Sequence, residues 1–94
     1  MPKLLKPITC KSGLEMSVQA SAFHYSIPKS DNAEYYSEVE VGFPTKPEPL
    51  LLEYADEPDK PLDTVYAYVP VSVVKAVIEK HGGIISGELP PGII

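Results

Sequence analysis

The chain contains no arginine and no tryptophan, since all eight of its basic residues are lysines, and its net charge is −5. Without arginine it lacks the forked guanidinium group that forms paired hydrogen bonds with guanine, phosphate or carboxylate groups. A protein that binds DNA or RNA directly also carries a basic surface, and this chain has 13 acidic residues against the eight lysines. We therefore expect no direct nucleic-acid binding.

Cys10 is the only cysteine, so no disulfide can form within the chain and no group of thiolates can hold a metal. We interpret it as a small buried residue on a strand, because free cysteine is among the most buried residue types. Nor is there an apolar run near the roughly 20 residues that a membrane helix needs. We expect a soluble cytoplasmic protein without a signal peptide, because Pro2 and Pro7 interrupt the N-terminal segment.

Catalytic and cofactor signatures are also missing. The sequence contains no glycine-rich nucleotide loop, no H-E-x-x-H zinc motif and no G-x-S-x-G serine motif. The acidic residues of 56–63 lack the glycine that an EF-hand calcium loop requires. Cys10 and His24 could form a nucleophile pair, but no third group that would orient the histidine can be named. We predict a non-enzymatic protein with no catalytic, cofactor-binding or metal-binding residues.

Residues 64–83 join a strand pattern to a helix pattern. Apolar residues alternate with tyrosines over 65–69, which is typical of a strand with two distinct faces. Pro70 follows, and proline cannot donate to a sheet but fits the first turn of a helix. We therefore predict that the chain changes from strand to helix at Pro70.

The predicted helix has one apolar side, whereas Lys75, Glu79 and Lys80 lie on the other side. It should end at Gly82, with His81 as a cation at the C-terminal end of the helix dipole. Because so short a helix is marginal in water, its apolar side must pack on the sheet. That side consists of Val73, Val74, Val77 and Ile78.

Four further segments have strand patterns. We predict a first hairpin from 4–10 and 14–20, and a second, longer hairpin from 21–27 and 35–43. The large side chains change from even to odd positions after Ala20, so a bulge or bend is expected there. The sequence therefore predicts an α+β fold, with an antiparallel sheet of about four to five strands and one C-terminal helix packed on one face.

Residues 44–63 form a proline-rich acidic loop, with five prolines and little regular structure expected. Within it, 50–54 could form a short edge strand or an anchored extended segment. The tail, 84–94, is apolar enough to pack back over the sheet; the alternative is that it crosses to a second copy and forms a homodimer. All of these parts are assigned to one domain, 1–94.

The acidic residues and the tyrosines are the candidate functional features. Nine of the acidic residues lie between positions 34 and 63, and the chain has six tyrosines. A charged loop beside tyrosines can steer and hold a basic protein partner, although the same residues can simply keep the loop solvated and stabilise the sheet. The alternative function is a small-ligand binder or minor enzyme with a pocket between helix and sheet. The candidate partner-binding residues are Tyr35, Tyr36, Tyr54, Asp56, Glu57, Asp59, Asp63, Tyr66 and Tyr68.

Three blocks of the sequence resemble the small accessory proteins of tailed phages and prophages. They are GLEMSVQASAFHY, SEVEVGFP and VYAYVPVSVVKAVIEKHGG. The resemblance carries over no functional residue. It implies a cytoplasmic protein that binds a host or viral macromolecule.

Overall fold

A computed structural model describes residues 4–93 of the protein. Within that range the chain forms one antiparallel sheet of five strands, in the order β4-β3-β2-β1-β5, and one α-helix. This confirms the predicted α+β fold. Residues 1–3 and 94 of the predicted domain and tail lie outside the described range. The elements are β1 Ile8–Cys10, β2 Glu15–Gln19, β3 Glu38–Gly42, the 3₁₀ helix Pro49–Tyr54, β4 Val65–Pro70, α1 Val71–Lys80 and β5 Ile84–Ser86.

One face of the sheet is apolar and faces the core, because buried and polar residues alternate along the strands. Ile8 pairs with Met16 across β1 and β2, and Val18 pairs with Val41 across β2 and β3. All four are fully or almost fully buried. The opposite face is polar: Thr9 on β1, for example, donates to Glu15 on β2 at 3.1 Å.

The helix α1 lies within two residues of its predicted limits. It begins directly after Pro70, and Gly82 follows its last turn with a φ of +87°. Val74, Val77 and Ile78 are buried, which confirms the predicted apolar side. Since α1 connects the two edge strands β4 and β5, it crosses the apolar face and closes the core.

The predicted second hairpin is wrong. Only Ile27 of 21–27 pairs with β3, through a single bridge to Glu38, whereas β2 is the neighbour of β3. The Ser26 hydroxyl donates to Ser21 O at 3.2 Å and bends the segment, and the Tyr25 N–H donates at 3.0 Å to the side chain of Glu40 on β3 rather than to its backbone. The chain leaves the sheet after β2, where the bend was expected.

The proline-rich segment contains a 3₁₀ helix, Pro49–Tyr54, and the prediction of a strand or extended chain there is wrong. Proline fits the first turn of the helix, and the Glu48 carboxylate accepts the Leu50 N–H at 2.8 Å. This turn directs Leu51 into the core, where it is fully buried. The rest of 44–63 is irregular, as predicted.

The tail packs on its own chain. Ile84–Ser86 pairs with β1 as β5, and Ile93 is fully buried in the core. The described part of the tail therefore fits the first of the two alternatives, packing back onto the domain.

Gly87 lies where the tail passes closest to the start of β1. A β-carbon at this position would collide with Pro7 O and with the Cα atom of Ile8, both backbone atoms that cannot rotate away. Gly83 has a similar left-handed φ, +92° against +107°, but no atom lies within 4 Å of its β-carbon position. Both glycines therefore have a positive φ that favours glycine, but only Gly87 has backbone atoms where a β-carbon would lie.

We expect Gly87→Ala to lower the free energy of unfolding by about 1–3 kcal/mol more than Gly83→Ala, because only the first adds an overpacking term. Both variants pay the same penalty for an alanine in the left-handed region. Urea denaturation of the two variants measures the difference. Equal losses would contradict the close approach of the tail to β1.

Candidate functional site

Two of the predicted surface tyrosines are core residues, so the prediction is wrong for Tyr36 and Tyr66. Their exposed fractions are 2% and 0%. The Tyr66 hydroxyl donates to Pro61 O at 2.6 Å and the Tyr36 hydroxyl to Ser30 O at 2.7 Å, so each phenol fixes a loop. Burial raises the pKa of Tyr66 above its ordinary value.

A bulge in β4 explains why Tyr66 and Tyr68 do not share a face as their spacing predicts. Val39 pairs with Val69 and Val41 with Tyr66, so β4 has one more residue than β3 between these pairs. A bulge changes the side-chain alternation beyond it. Tyr66 therefore faces the core, whereas Tyr68 is 40% exposed.

Tyr68 has a φ of +52°, in the left-handed region that bulky residues rarely adopt. Its N–H donates to Tyr25 O at 3.1 Å, and the two rings pack with their centroids 5.8 Å apart at an angle of 49°. Of this aromatic pair, Tyr25 and Tyr68, only Tyr68 is among the predicted partner-binding residues. Tyr25 comes from the segment that the sequence placed in a strand.

The aromatic pair has apolar and charged neighbours on the same segment. Phe23 and Ile27 are 67% and 45% exposed. The Lys29 ammonium group lies 5.1 Å from the centre of the Tyr25 ring, which is a cation–π distance. The segment therefore presents several large apolar side chains to solvent, beyond the tyrosine pair itself.

The predicted acidic residues are exposed and begin beside β4. Ala55 forms a bridge with Tyr66, and the Asp56 N–H donates to Val65 O at 3.0 Å, so the segment 56–63 leaves from the outer edge of β4. Tyr54 is half-buried, and Tyr35 is 63% exposed but lies against Gly92 of the tail. The exposed acidic residues are Asp56, Glu57, Asp59 and Asp63.

A buried carboxylate forms a cluster that the sequence did not predict. Glu48, whose side chain is 1% exposed, accepts from His81 Nε2 at 2.8 Å and from Lys80 Nζ at 3.0 Å, and His81 Nδ1 lies 2.7 Å from the Ser12 hydroxyl. Burial alone would raise the pKa of Glu48. The hydrogen bonds from Leu50 N–H, His81 and Lys80, together with the Lys80 charge, outweigh burial and hold this pKa below its ordinary value.

Ser12, His81 and Glu48 have the order of a serine–histidine–acid triad, but the surroundings do not support nucleophilic catalysis. The N–H groups of residues 10–13 donate to backbone carbonyls, and that of Leu14 donates to the Ser12 hydroxyl. None of these groups is left to stabilise an oxyanion. We interpret the cluster as a structural contact that joins the β1–β2 turn, the end of α1 and the 3₁₀ helix.

Little in the sequence indicates this cluster. His81 was interpreted as a helix-terminal cation, and its contact with Glu48 joins positions 33 residues apart. The only local hint is a glutamate between two prolines, Pro47 and Pro49, with three leucines directly after Pro49. A charged residue in such an apolar context needs a partner if it is buried.

Cys10 is buried on β1, as predicted, and burial raises the pKa of its thiol. His24 Nδ1 lies 2.7 Å from the Ser21 hydroxyl, so its hydrogen bond is with a neighbour in its own loop. Residues 4–93 contain no group of three or more potential metal-ligating side chains. In the same range, no helix has the length and apolar character needed to cross a membrane.

The alternative prediction places a pocket between helix and sheet, where Val74 and Val77 of α1 pack in the core. A cleft lies at the end of β2, against the loop 20–33 and the tail. Comparison of the chain with protein-family models, curated proteins and solved structures finds no match.

Proposed function

We propose that the protein is a non-enzymatic binding protein that holds a basic segment of a protein partner on its aromatic pair and its acidic segment 56–63. The single observation that carries this proposal is the left-handed backbone of Tyr68. A bulky residue in that conformation destabilises the folded protein by about 1–3 kcal/mol. The contacts of an exposed side chain offset little of this destabilisation. Such strain in an exposed aromatic is typical of a functional position.

The chemistry of this surface suits a basic partner. Tyrosine supplies a large contact area at low entropic cost and is enriched among residues that dominate binding energy. The four carboxylates of the acidic segment add a negative field that steers a basic partner and weakens with salt.

The phage resemblance agrees with this role, since it implies a cytoplasmic protein that binds a host or viral macromolecule. It leaves the identity of the partner open. The surface chemistry restricts the search to partners with exposed lysine or arginine clusters next to an apolar side chain.

The test uses Tyr68→Asn, because asparagine tolerates the left-handed conformation and removes only the ring. Ile85→Asn on β5, at the opposite edge of the sheet, is the matched control; Ile85 is 62% exposed. Proteins captured from cell extract by the wild type are quantified for both variants. The affinity of any purified partner is then measured at two salt concentrations.

We expect Tyr68→Asn to weaken the partner about 30-fold, which corresponds to the roughly 2 kcal/mol of a binding hot spot. Ile85→Asn should bind like the wild type, and the affinity should fall as salt rises. A partner retained equally by both variants, or bound independently of salt, would overturn the proposal.

A further inference from the structure

We propose that the cleft at the end of β2 binds a small organic cation, an aliphatic amine or guanidine with a short hydrocarbon chain. Its volume is about 450 Å³. This lies within the roughly 300–1,000 Å³ that small-molecule sites occupy. The proposal is independent of the partner-binding surface, which uses other residues.

The walls of the cleft are fixed by hydrogen bonds that leave their polar groups no freedom to rearrange. Gln19 accepts the Leu5 N–H at 2.9 Å and donates to Leu5 O at 2.8 Å. The Tyr36 hydroxyl donates to Ser30 O and accepts the Ala33 N–H at 3.2 Å. The cleft is therefore formed before any ligand arrives, which lowers the entropic cost of binding.

Two polar groups on the cleft retain capacity for a ligand. Asp31 uses Oδ1 to accept the Ala22 N–H at 3.0 Å, and no residue of 4–93 bonds its second oxygen. His24 uses Nδ1 for Ser21, and its Nε2 has no hydrogen-bond partner in the same range. Both side chains line the cleft.

The charge and the remaining surface define the ligand. Among residues 4–93, Asp31 is the only acidic residue that lines the cleft and no lysine lines it, so the permanent charge of this described lining is negative. An anion would be repelled, whereas an ammonium or guanidinium group can donate a charge-assisted hydrogen bond to Asp31. Leu5 and Pro90 add apolar surface for a short hydrocarbon chain.

The test is a titration with agmatine, cadaverine and pentylamine, followed through the backbone amides by nuclear magnetic resonance. Pentanol, which has the chain but no charge, is the control ligand. We expect saturable shifts at Gln19, His24 and Asp31 with the cations and none with pentanol.

Asp31→Asn is the matching variant, because its amide oxygen can still accept the Ala22 N–H while the charge is lost. Asp59→Asn in the acidic segment changes the net charge equally and lies outside the cleft lining. We expect Asp31→Asn to weaken binding of the cations at least about tenfold, which is the effect of losing a hydrogen bond to a charged group. Asp59→Asn should leave their binding unchanged.

Four outcomes would overturn the inference. They are a lack of saturable shifts with all three cations, shifts confined to 56–63, equal binding of pentanol, and Asp31→Asn binding like the wild type. An amide spectrum of Asp31→Asn that matches the wild type away from the cleft shows that the variant is folded.

Discussion

Val77→Asp is expected to abolish the cooperative thermal unfolding of the protein. Val77 is fully buried on α1, in the core that also contains Val74 and Ile78. A carboxylate at this position would be buried in an apolar core, and burying a charge in apolar surroundings costs several kcal/mol. This is comparable to the roughly 5–15 kcal/mol that stabilise a whole domain. Circular dichroism during heating should show no sigmoidal transition.

Ala76→Asp is the matched control for this variant, because it introduces the same charge one position earlier on the exposed side of α1. A surface substitution of this kind changes stability by only about 0.5 kcal/mol. If Val77→Asp melted like Ala76→Asp, the assignment of the apolar side of α1 to the core would be wrong.

Glu48→Gln is expected to lower the free energy of unfolding at pH 7 by about 2–4 kcal/mol. The charged oxygen that accepts from His81 and Lys80 is lost, and breaking a buried ion pair leaves the remaining partners poorly satisfied. Since Lys80 is partly exposed, we expect the loss of unfolding free energy to lie near the lower end of this range. Urea denaturation measures the loss. Glu53→Gln, an exposed glutamate in the same 3₁₀ helix, controls for net charge.

The stability lost in Glu48→Gln should become smaller as the pH falls. The pKa of Glu48 is lower in the folded protein than in the unfolded chain, where it is about 4.3. Its contribution is therefore fully present above the unfolded value and disappears as pH falls through the folded value. The stability difference between wild type and Glu48→Gln should therefore shrink as pH falls below the unfolded pKa and through the lower folded pKa. A difference that stays constant as pH falls would show that the carboxylate charge is not the cause.

The elements predicted correctly are those that local sequence determines. Three local signals place these elements: the alternation over 65–69, Pro70 and the apolar side of α1. Each signal depends only on residues close together in sequence, so the strand, the turn and the helix can be predicted without knowledge of the rest of the chain. The first hairpin is local in the same sense: β1 and β2 pair across a short turn.

The errors arise where one residue shifts the pattern or where partners are distant in sequence. The bulge in β4 separates Tyr66 from Tyr68, and nothing in their spacing indicates which of them faces the core. The Glu48 cluster and the pairing of β2 with β3 join residues that are far apart along the chain. The aromatic pair depends on both effects, so only Tyr68 was predicted.

The strand order has a consequence for how the chain acquires its fold. Thr9 on β1 pairs with Ser86 on β5, so the second edge of β1 is satisfied only after Ser86 has been synthesised. Contacts over such separations carry a loop-closure cost and slow folding. Until β5 arrives, β1 presents unpaired N–H and C=O groups, which can pair with another nascent chain. We therefore expect the nascent chain to be most prone to aggregation during synthesis, before Ile84–Ser86 has left the ribosome.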